Sequence, residues 1–350
     1  VDMAYTSSRL TSLSYAALNG HTDVARLLVE RGADINKAVV GLQNFKEKGG
    51  DGTGGAIELL NELKREKTAS QLVATKPLKP SAPSPVDIKS DVDELPAVKT
   101  RSNKNAYAIV IGIEQYRQKL PQADFAVSDA RLMGEYLTRV MGYPEENVIT
   151  LLNERASNVD LVKYFEKWLS NNAEQNSTIF VYYSGHGAPN PATGDAYLLP
   201  YDGDPAFIEQ TGYSLKRLYE NLGKLPAKDI IVALDSCFSG AGGKSVAAKG
   251  SRALVRVEKT SARNIAVLTA SQDNQISSSY EDKGHGVFTY FLLKGIKEML
   301  GEDKNSKLAL GDLYNYLKPQ VERTSRRLYN NEQTPQLMTA DEQMKKIGLR

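Results

Sequence analysis

The sequence predicts an α/β protein: a mostly parallel central sheet flanked by helices on both faces, preceded by a small α-helical segment. Three observations predict it. From residue 105 onward, short apolar runs rich in β-branched and aromatic residues alternate with amphipathic stretches, the pattern of strands joined by crossover helices. Those runs are apolar throughout, as strands buried on both faces are. Residues 11–36 carry only helical signals, and a proline-rich stretch separates the two regions.

The helical segment, residues 1–67, centres on "TSLSYAALNGHTDVARLLVERGADIN" (11–36). It gives a short helix, a turn, and an amphipathic helix with Gly32 where a helix should stop. Residues 68–103 hold five prolines and no apolar stripe, which predicts a semi-extended linker. Within 104–350, "AYAIVIGI" (106–113) is a buried strand and "DFAVSDARLMGEYLTRVM" (124–141) an amphipathic helix. "NVITLLN" is a strand, "NVDLVKYFEKWLSNN" a helix, and "STIFVYYS" a strand. A loop containing "DAYLLP" leads to the helix "SLKRLYENLG". "KDIIVALDS" and "NIAVLTAS" are strands, and the helices "GVFTYFLLKGIKEML" and "LGDLYNYLKPQVERT" finish the domain.

At 350 residues the chain has room for about two domains. A net charge of +2 gives no reason to expect nucleic acid or an anionic membrane as partner, and no apolar run approaches the ~20 residues that span a bilayer. The opening "VDMAYTSSRL" lacks the charged start and apolar segment of a signal peptide; it also lacks an initial Met, so a fragment or a processed product is expected. With no visible targeting segment and a free thiol, the expected compartment is the cytoplasm. The single cysteine forbids an internal disulfide.

Two apolar runs end in unusual tips. "FVYYSGHGAPN" (180–190) stops at His186 between two glycines, and "IIVALDSCFSG" (230–240) stops at Cys237. Ligands of parallel α/β sheets bind beyond the carboxyl ends of the strands, so parallel strands would bring both tips to one edge. An imidazole beside a thiol generates the nucleophile and protonates the leaving amine. Glycines around His186 let a substrate backbone approach, and the N–H of Gly187 is free to face a developing oxyanion. An isolated free cysteine is more often buried and inert, but here two glycine-rich tips carry the pair. His285, in a second Gly-His-Gly, lies at the start of a helix and suits a cap or packing role, and His21 a turn.

"YYSGHG" and "LDSCFSG", with His186 and Cys237 51 positions apart, resemble the caspase-like cysteine peptidases, closest to metacaspases and their bacterial relatives. "AVSDARLMGEYL", "GHGVFTY" and "NEQTPQL" extend the likeness in order over about 245 residues. Animal caspases have Gln-Ala-Cys where this chain has Asp235-Ser236-Cys237. Residues 11–36 resemble one ankyrin repeat, departing from it at Ser12 and Ser14. A lone repeat cannot bury its own face, so either residues 38–66 supply a degenerate capping pair or the array continues upstream of Val1; the second is preferred.

The resemblance implies a caspase-like sandwich and a Cys/His endopeptidase, with His186 as base and acid, Cys237 as nucleophile, and the Gly187 and Cys237 N–H groups as oxyanion donors. Asp129, Ser184 and Asp235 would line an acidic pocket selecting Arg or Lys. Lys244, Lys249, Arg252, Arg256, Lys259 and Arg263 follow the nucleophile and become candidate self-cleavage positions, against the plainer reading of an exposed basic loop. Many metacaspases are calcium-activated, but Asp195, Asp202 and Asp204 match no EF-hand-like spacing, and no metal is assigned. The expected partners are a protein or peptide substrate and a protein bound through the ankyrin-like segment. The rival readings are an inactive scaffold and a peptidase for Asp, the latter needing a pocket cation such as Arg131.

Overall fold

The computed structural model describes residues 10–30, 33–47, 49, 51–75, 89–97, 100–238, 244, 246, 260–272, 275–301 and 308–348. The chain divides into two compact units, Val1–Val86 and Asp87–Arg350.

The first unit holds α1 (Ser12–Leu18), α2 (Thr22–Glu30), α3 (Ile35–Glu47) and α4 (Thr53–Thr75). Thr11 caps α1 by accepting from the Ser14 N–H at 3.1 Å, satisfying a donor that a helix start leaves open. The Ser14 hydroxyl, fully buried, donates to the Ala38 carbonyl at 3.0 Å and so ties α1 to α3. That is the physical use of one of the two serines that depart from the ankyrin pattern. Leu13, Ala17, Ala25, Ala38, Leu42, Ala56 and Leu60 share one core, so α3 and α4 supply apolar surface that a lone repeat lacks.

The second unit is built on six strands. In chain order they are β1 (Ala106–Gly112), β2 (Val148–Leu152), β3 (Thr178–Ser184), β7 (Asp229–Asp235), β8 (Ile265–Thr269) and β11 (Gln336–Thr339). A small second sheet uses β4 (Gly187–Pro189), β5 (Ala196–Leu198) and β6 (Tyr213–Ser214), and β9 (Ser279–Tyr280) pairs with β10 (His285–Gly286). The main sheet runs β11-β8-β7-β3-β1-β2, parallel throughout except for β11, which lies antiparallel on β8.

Side-chain alternation along each strand feeds two separate cores. Ala108, Val110, Phe180, Tyr182, Ile231 and Leu268 face one way, packed with α5 (Ala126–Glu135), α10 (Val287–Gly301) and α11 (Leu310–Tyr329). Ile109, Ile111, Val181, Val232, Leu234 and Val267 face the other way, against α6 (Asn158–Val162), α7 (Leu169–Asn172) and α9 (Leu215–Gly223). Each valine, leucine, isoleucine or phenylalanine among them contributes about 1.5–3 kcal/mol by leaving water, before entropy is counted.

The short strands differ from the sequence expectation. The stretch around "DAYLLP" forms β5 rather than a plain loop, "QLMT" supplies the antiparallel edge strand β11, and β4, β6, β9 and β10 are likewise unexpected; all these runs are too short for periodicity to show. The expected linker limits also differ from the structure. The helix α4 continues to Thr75, and residues 89–97 join the second unit, where Val92 is fully buried in the core beside α10. Asp91 holds that segment down through Lys283 and Lys294, each at 3.2 Å, and the Tyr290 hydroxyl at 2.8 Å.

Candidate active site

Strands β3 and β7 are neighbours in parallel register, with Ser184 opposite Asp235. The segments carrying His186 and Cys237 therefore leave the sheet side by side. Gly187 permits the contact: a Cβ there would lie 2.4 Å from the Cys237 carbonyl oxygen and 2.5 Å from the Phe238 ring. The Gly187 N–H and the Cys237 N–H both donate, each at 3.1 Å, to one acceptor, the carbonyl oxygen of Lys244.

His186 is fully buried and fixed on both sides. Its Nε2 bonds the Pro121 carbonyl at 2.7 Å, its backbone N–H donates to the Tyr116 hydroxyl at 2.6 Å, and the Tyr116 ring stacks on the imidazole at 4.9 Å. A carbonyl can only accept, so Nε2 carries the proton in the neutral ring. Nδ1 then holds the lone pair, and it is buried with no hydrogen-bond partner among the described residues. Burial lowers the imidazole pKa, which keeps the ring neutral.

Cys237 is fully buried, and burial pushes its thiol up to about 11. The Ser277 N–H donates to its sulfur, and the Ser271 hydroxyl lies 3.9 Å away. With Lys244 seated as observed, the pair is a neutral thiol and a neutral imidazole.

Asp129, Ser184 and Asp235 converge, all fully buried. The group they surround is the Lys244 ammonium: Nζ lies 2.8 Å from Ser184 Oγ, 3.1 Å from Asp235 Oδ2 and 3.6 Å from Asp129 Oδ2. Burial alone would strip the charge from Lys244, but Asp235 and Asp129 outweigh it and raise its pKa. Asp235 also accepts from Ser277 Oγ at 2.8 Å and Thr289 Oγ1 at 2.6 Å. Asp129 accepts from the Gly286 N–H at 3.1 Å and pairs with His285 Nδ1 at 2.8 Å. The other side of the His285 ring meets Asp93 Oδ1 at 3.1 Å. Gly286 closes the wall, since a Cβ there would lie 2.3 Å from Asp235 Oδ2.

The remaining candidates fall elsewhere. Lys244 is buried, so the exposed-loop reading fails at that position. Lys249, Arg252, Arg256 and Lys259 lie outside the described residues, and Arg263 is exposed just before β8. Arg131 is exposed on α5. Asp202 accepts from the Asn158 N–H at 2.8 Å and Asp204 from the Ala206 N–H at 2.9 Å, each serving a local helix start. Asp195 sits just before β5, its N–H donating to Thr193 Oγ1 at 3.2 Å and its carbonyl accepting from the Asn190 N–H at 2.8 Å. Among the described residues no group of three or more His, Cys, Asp or Glu is placed to hold a metal ion. Nor does any described helix have the length and apolarity to cross a membrane.

Sequence reasoning missed Tyr116, Pro121, Ser277, Gly286, Thr289 and Asp93. Only the second Gly-His-Gly offered a signal: His285 stands on β10 just before α10, where it braces Asp129.

Residues 105–345 match the caspase domain family and residues 9–38 match the ankyrin repeat. The chain belongs to the caspase domain family of cysteine peptidases. It is similar to metacaspase-1A of Aspergillus oryzae, 28% identical over 150 residues, 38% of this chain and 34% of that protein. It is also similar to metacaspase III c of Phaeodactylum tricornutum, 24% identical over 136 residues, 38% and 39% of the two chains. The matched part is thus little more than a third of the length of these relatives. A crystal structure of a Geobacter sulfurreducens protein, 20% identical, superposes with a TM-score of 0.50 over 70% of this chain and 97% of the other. Caspase-1 of Spodoptera frugiperda, 13% identical, gives 0.48 over 69% and 90%.

Proposed function

We propose that the chain is a cysteine endopeptidase cutting after Lys or Arg, and that the Lys244–Ser245 bond of its own chain is its first substrate. One observation carries this reading: Lys244 lies as a substrate residue would. Its carbonyl oxygen accepts from the Gly187 and Cys237 N–H groups, and its ammonium sits between Asp235, Asp129 and Ser184.

The chemistry follows from the atoms in place. His186 Nδ1 takes the Cys237 thiol proton and the thiolate attacks the Lys244 carbonyl carbon. The two N–H groups already on that oxygen stabilise the negative charge it gains, and such a donor is worth about 2.7–4 kcal/mol in the transition state. The imidazolium then protonates the departing amine, and a water activated by His186 hydrolyses the thioester. Until the bond is cut, Lys244 occupies the pocket an external Lys or Arg side chain needs. An aspartate side chain would meet two carboxylates there, which argues against the Asp-specific rival. The ankyrin-like unit is assigned to contact with a protein partner.

The test is hydrolysis of matched fluorogenic peptides ending in Arg, Lys or Asp, with and without calcium, by wild type and Cys237→Ala. Turnover after Arg or Lys that disappears in Cys237→Ala is expected. Turnover after Asp alone, or none from a chain that self-cleaves nowhere, would sink the reading.

A further inference from the structure

We infer that the peptidase unit carries an apolar subsite for the second residue beyond the cut bond, selecting substrates with a branched aliphatic side chain there. This rests on the reading above, in which Lys244 marks the residue before the cut.

Val246, two residues past Lys244, defines the subsite. Gly187 bonds the same strip of chain at two points: its N–H donates to the Lys244 carbonyl at 3.1 Å, and its carbonyl accepts from the Val246 N–H at 3.0 Å. Those two bonds fix register, so a chain with its carbonyl on the Gly187 and Cys237 N–H groups must present its second following residue at this place. The Val246 side chain is 7% exposed. It clusters with Ala188, Leu199 and Ile208, with Tyr116, Leu120 and Tyr197 packed around them.

The walls belong to ordered parts of the fold. Ala188 is on β4, Leu199 follows β5 and its N–H donates to the His186 carbonyl at 3.0 Å, and Ile208 opens the short helix α8 (Ile208–Thr211). The side chains packed around Val246 are aliphatic or tyrosine rings, and the Tyr116 hydroxyl already accepts from the His186 N–H, so a carboxylate or amide entering would lose hydration with little to replace it, whereas a valine or leucine gains burial. Tyr116 is shared between this cluster and the stack on His186. A residue filling the subsite therefore packs against the same ring that stacks on the His186 imidazole.

Internally quenched peptides test this. They share one sequence through Lys-Ser and carry Val, Leu, Gly or Asp at the next position. For wild type, kcat/KM for Val and Leu should exceed that for Asp by about tenfold or more, about 1.4 kcal/mol or more. The Val-over-Gly ratio should shrink in Ile208→Ala and persist in Ile208→Val. In the full chain, Val246→Asp should slow cutting between residues 244 and 245 by about the same factor. Equal kcat/KM across the four peptides, with cutting after Lys retained, would overturn the subsite and leave the peptidase reading standing. No cutting after Lys or Arg in any peptide or in the chain itself would remove both.

Discussion

Lys244 Nζ and Asp235 Oδ2 lie 3.1 Å apart with both side chains out of solvent. An ammonium is expensive to bury, and this one is accommodated because two carboxylates and the Ser184 hydroxyl replace its water. The cation belongs to the segment just after Cys237, and the anion ends β7, two residues before that cysteine. The pair therefore joins the bond expected to break to the site expected to break it.

Replacing Lys244 with Ala should abolish cutting between residues 244 and 245 and let peptide turnover begin without a lag. It should also destabilise the uncut chain. Breaking a buried pair commonly costs about 3–5 kcal/mol, and entry of water into the vacated pocket should bring this nearer 2–3. Mass spectrometry, progress curves and urea unfolding check the three parts. A lag unchanged in the variant would mean that Lys244 does not hold the site closed.

Thiol reactivity should report pocket occupancy. With burial pushing Cys237 up to about 11, the uncut chain should react slowly with iodoacetamide at pH 7. Its rate should climb about tenfold for each pH unit below that value, following the thiolate fraction. Once Lys244 has left the pocket, solvent reaches the sulfur and the pH 7 rate should rise at least tenfold. A rate flat between pH 7 and 9 in the uncut chain would show that the thiolate is already formed.

His285 should contribute stability with a definite pH dependence. Burial pulls its pKa down, but Asp129 on α5 and Asp93 from residues 89–97 outweigh burial and hold it above 6.5. A folded value above the unfolded one gives stabilisation that is whole below about pH 6.5 and lost as pH rises through the raised value. Urea unfolding from pH 6 to 9 should therefore show the difference between wild type and His285→Gln shrinking as pH rises. Asp93→Asn should show a weaker form of the same trend. Both variants should raise KM for Lys peptides more than they lower kcat, since Asp129 loses its support; equal KM values would make the brace purely structural.

The sheet was largely legible because its strands are long, β-branched and apolar on both faces, and the two tips were legible because glycine and a unique cysteine punctuate them. The pocket acids were reached only through resemblance, as nothing local distinguishes Asp129 from a carboxylate in a helix's first turn. Ser277, Thr289 and Asp93 left no trace, being ordinary polar residues that reach the site from positions 42, 54 and 192 residues distant from their partners. Lys244 was one of six basic candidates, and no spacing rule could say which of them folds back into the pocket. Only the register fixed by Gly187 singles it out.

The caspase domain match begins at residue 105, yet the back wall of the pocket begins earlier. Asp93 touches His285, Val92 is sealed in the core, and Lys297 Nζ reaches the carbonyls of Asp91 and Glu94 at 2.5 Å each. The edge of the domain drawn by sequence pattern and the edge drawn by contact therefore disagree. A protein trimmed to the first would keep His186, Cys237, Asp129, Ser184 and Asp235, but it would lack the Asp93 carboxylate on the far side of His285. Where the chain is trimmed is then itself a choice about how firmly the carboxylates around Lys244 are held in place.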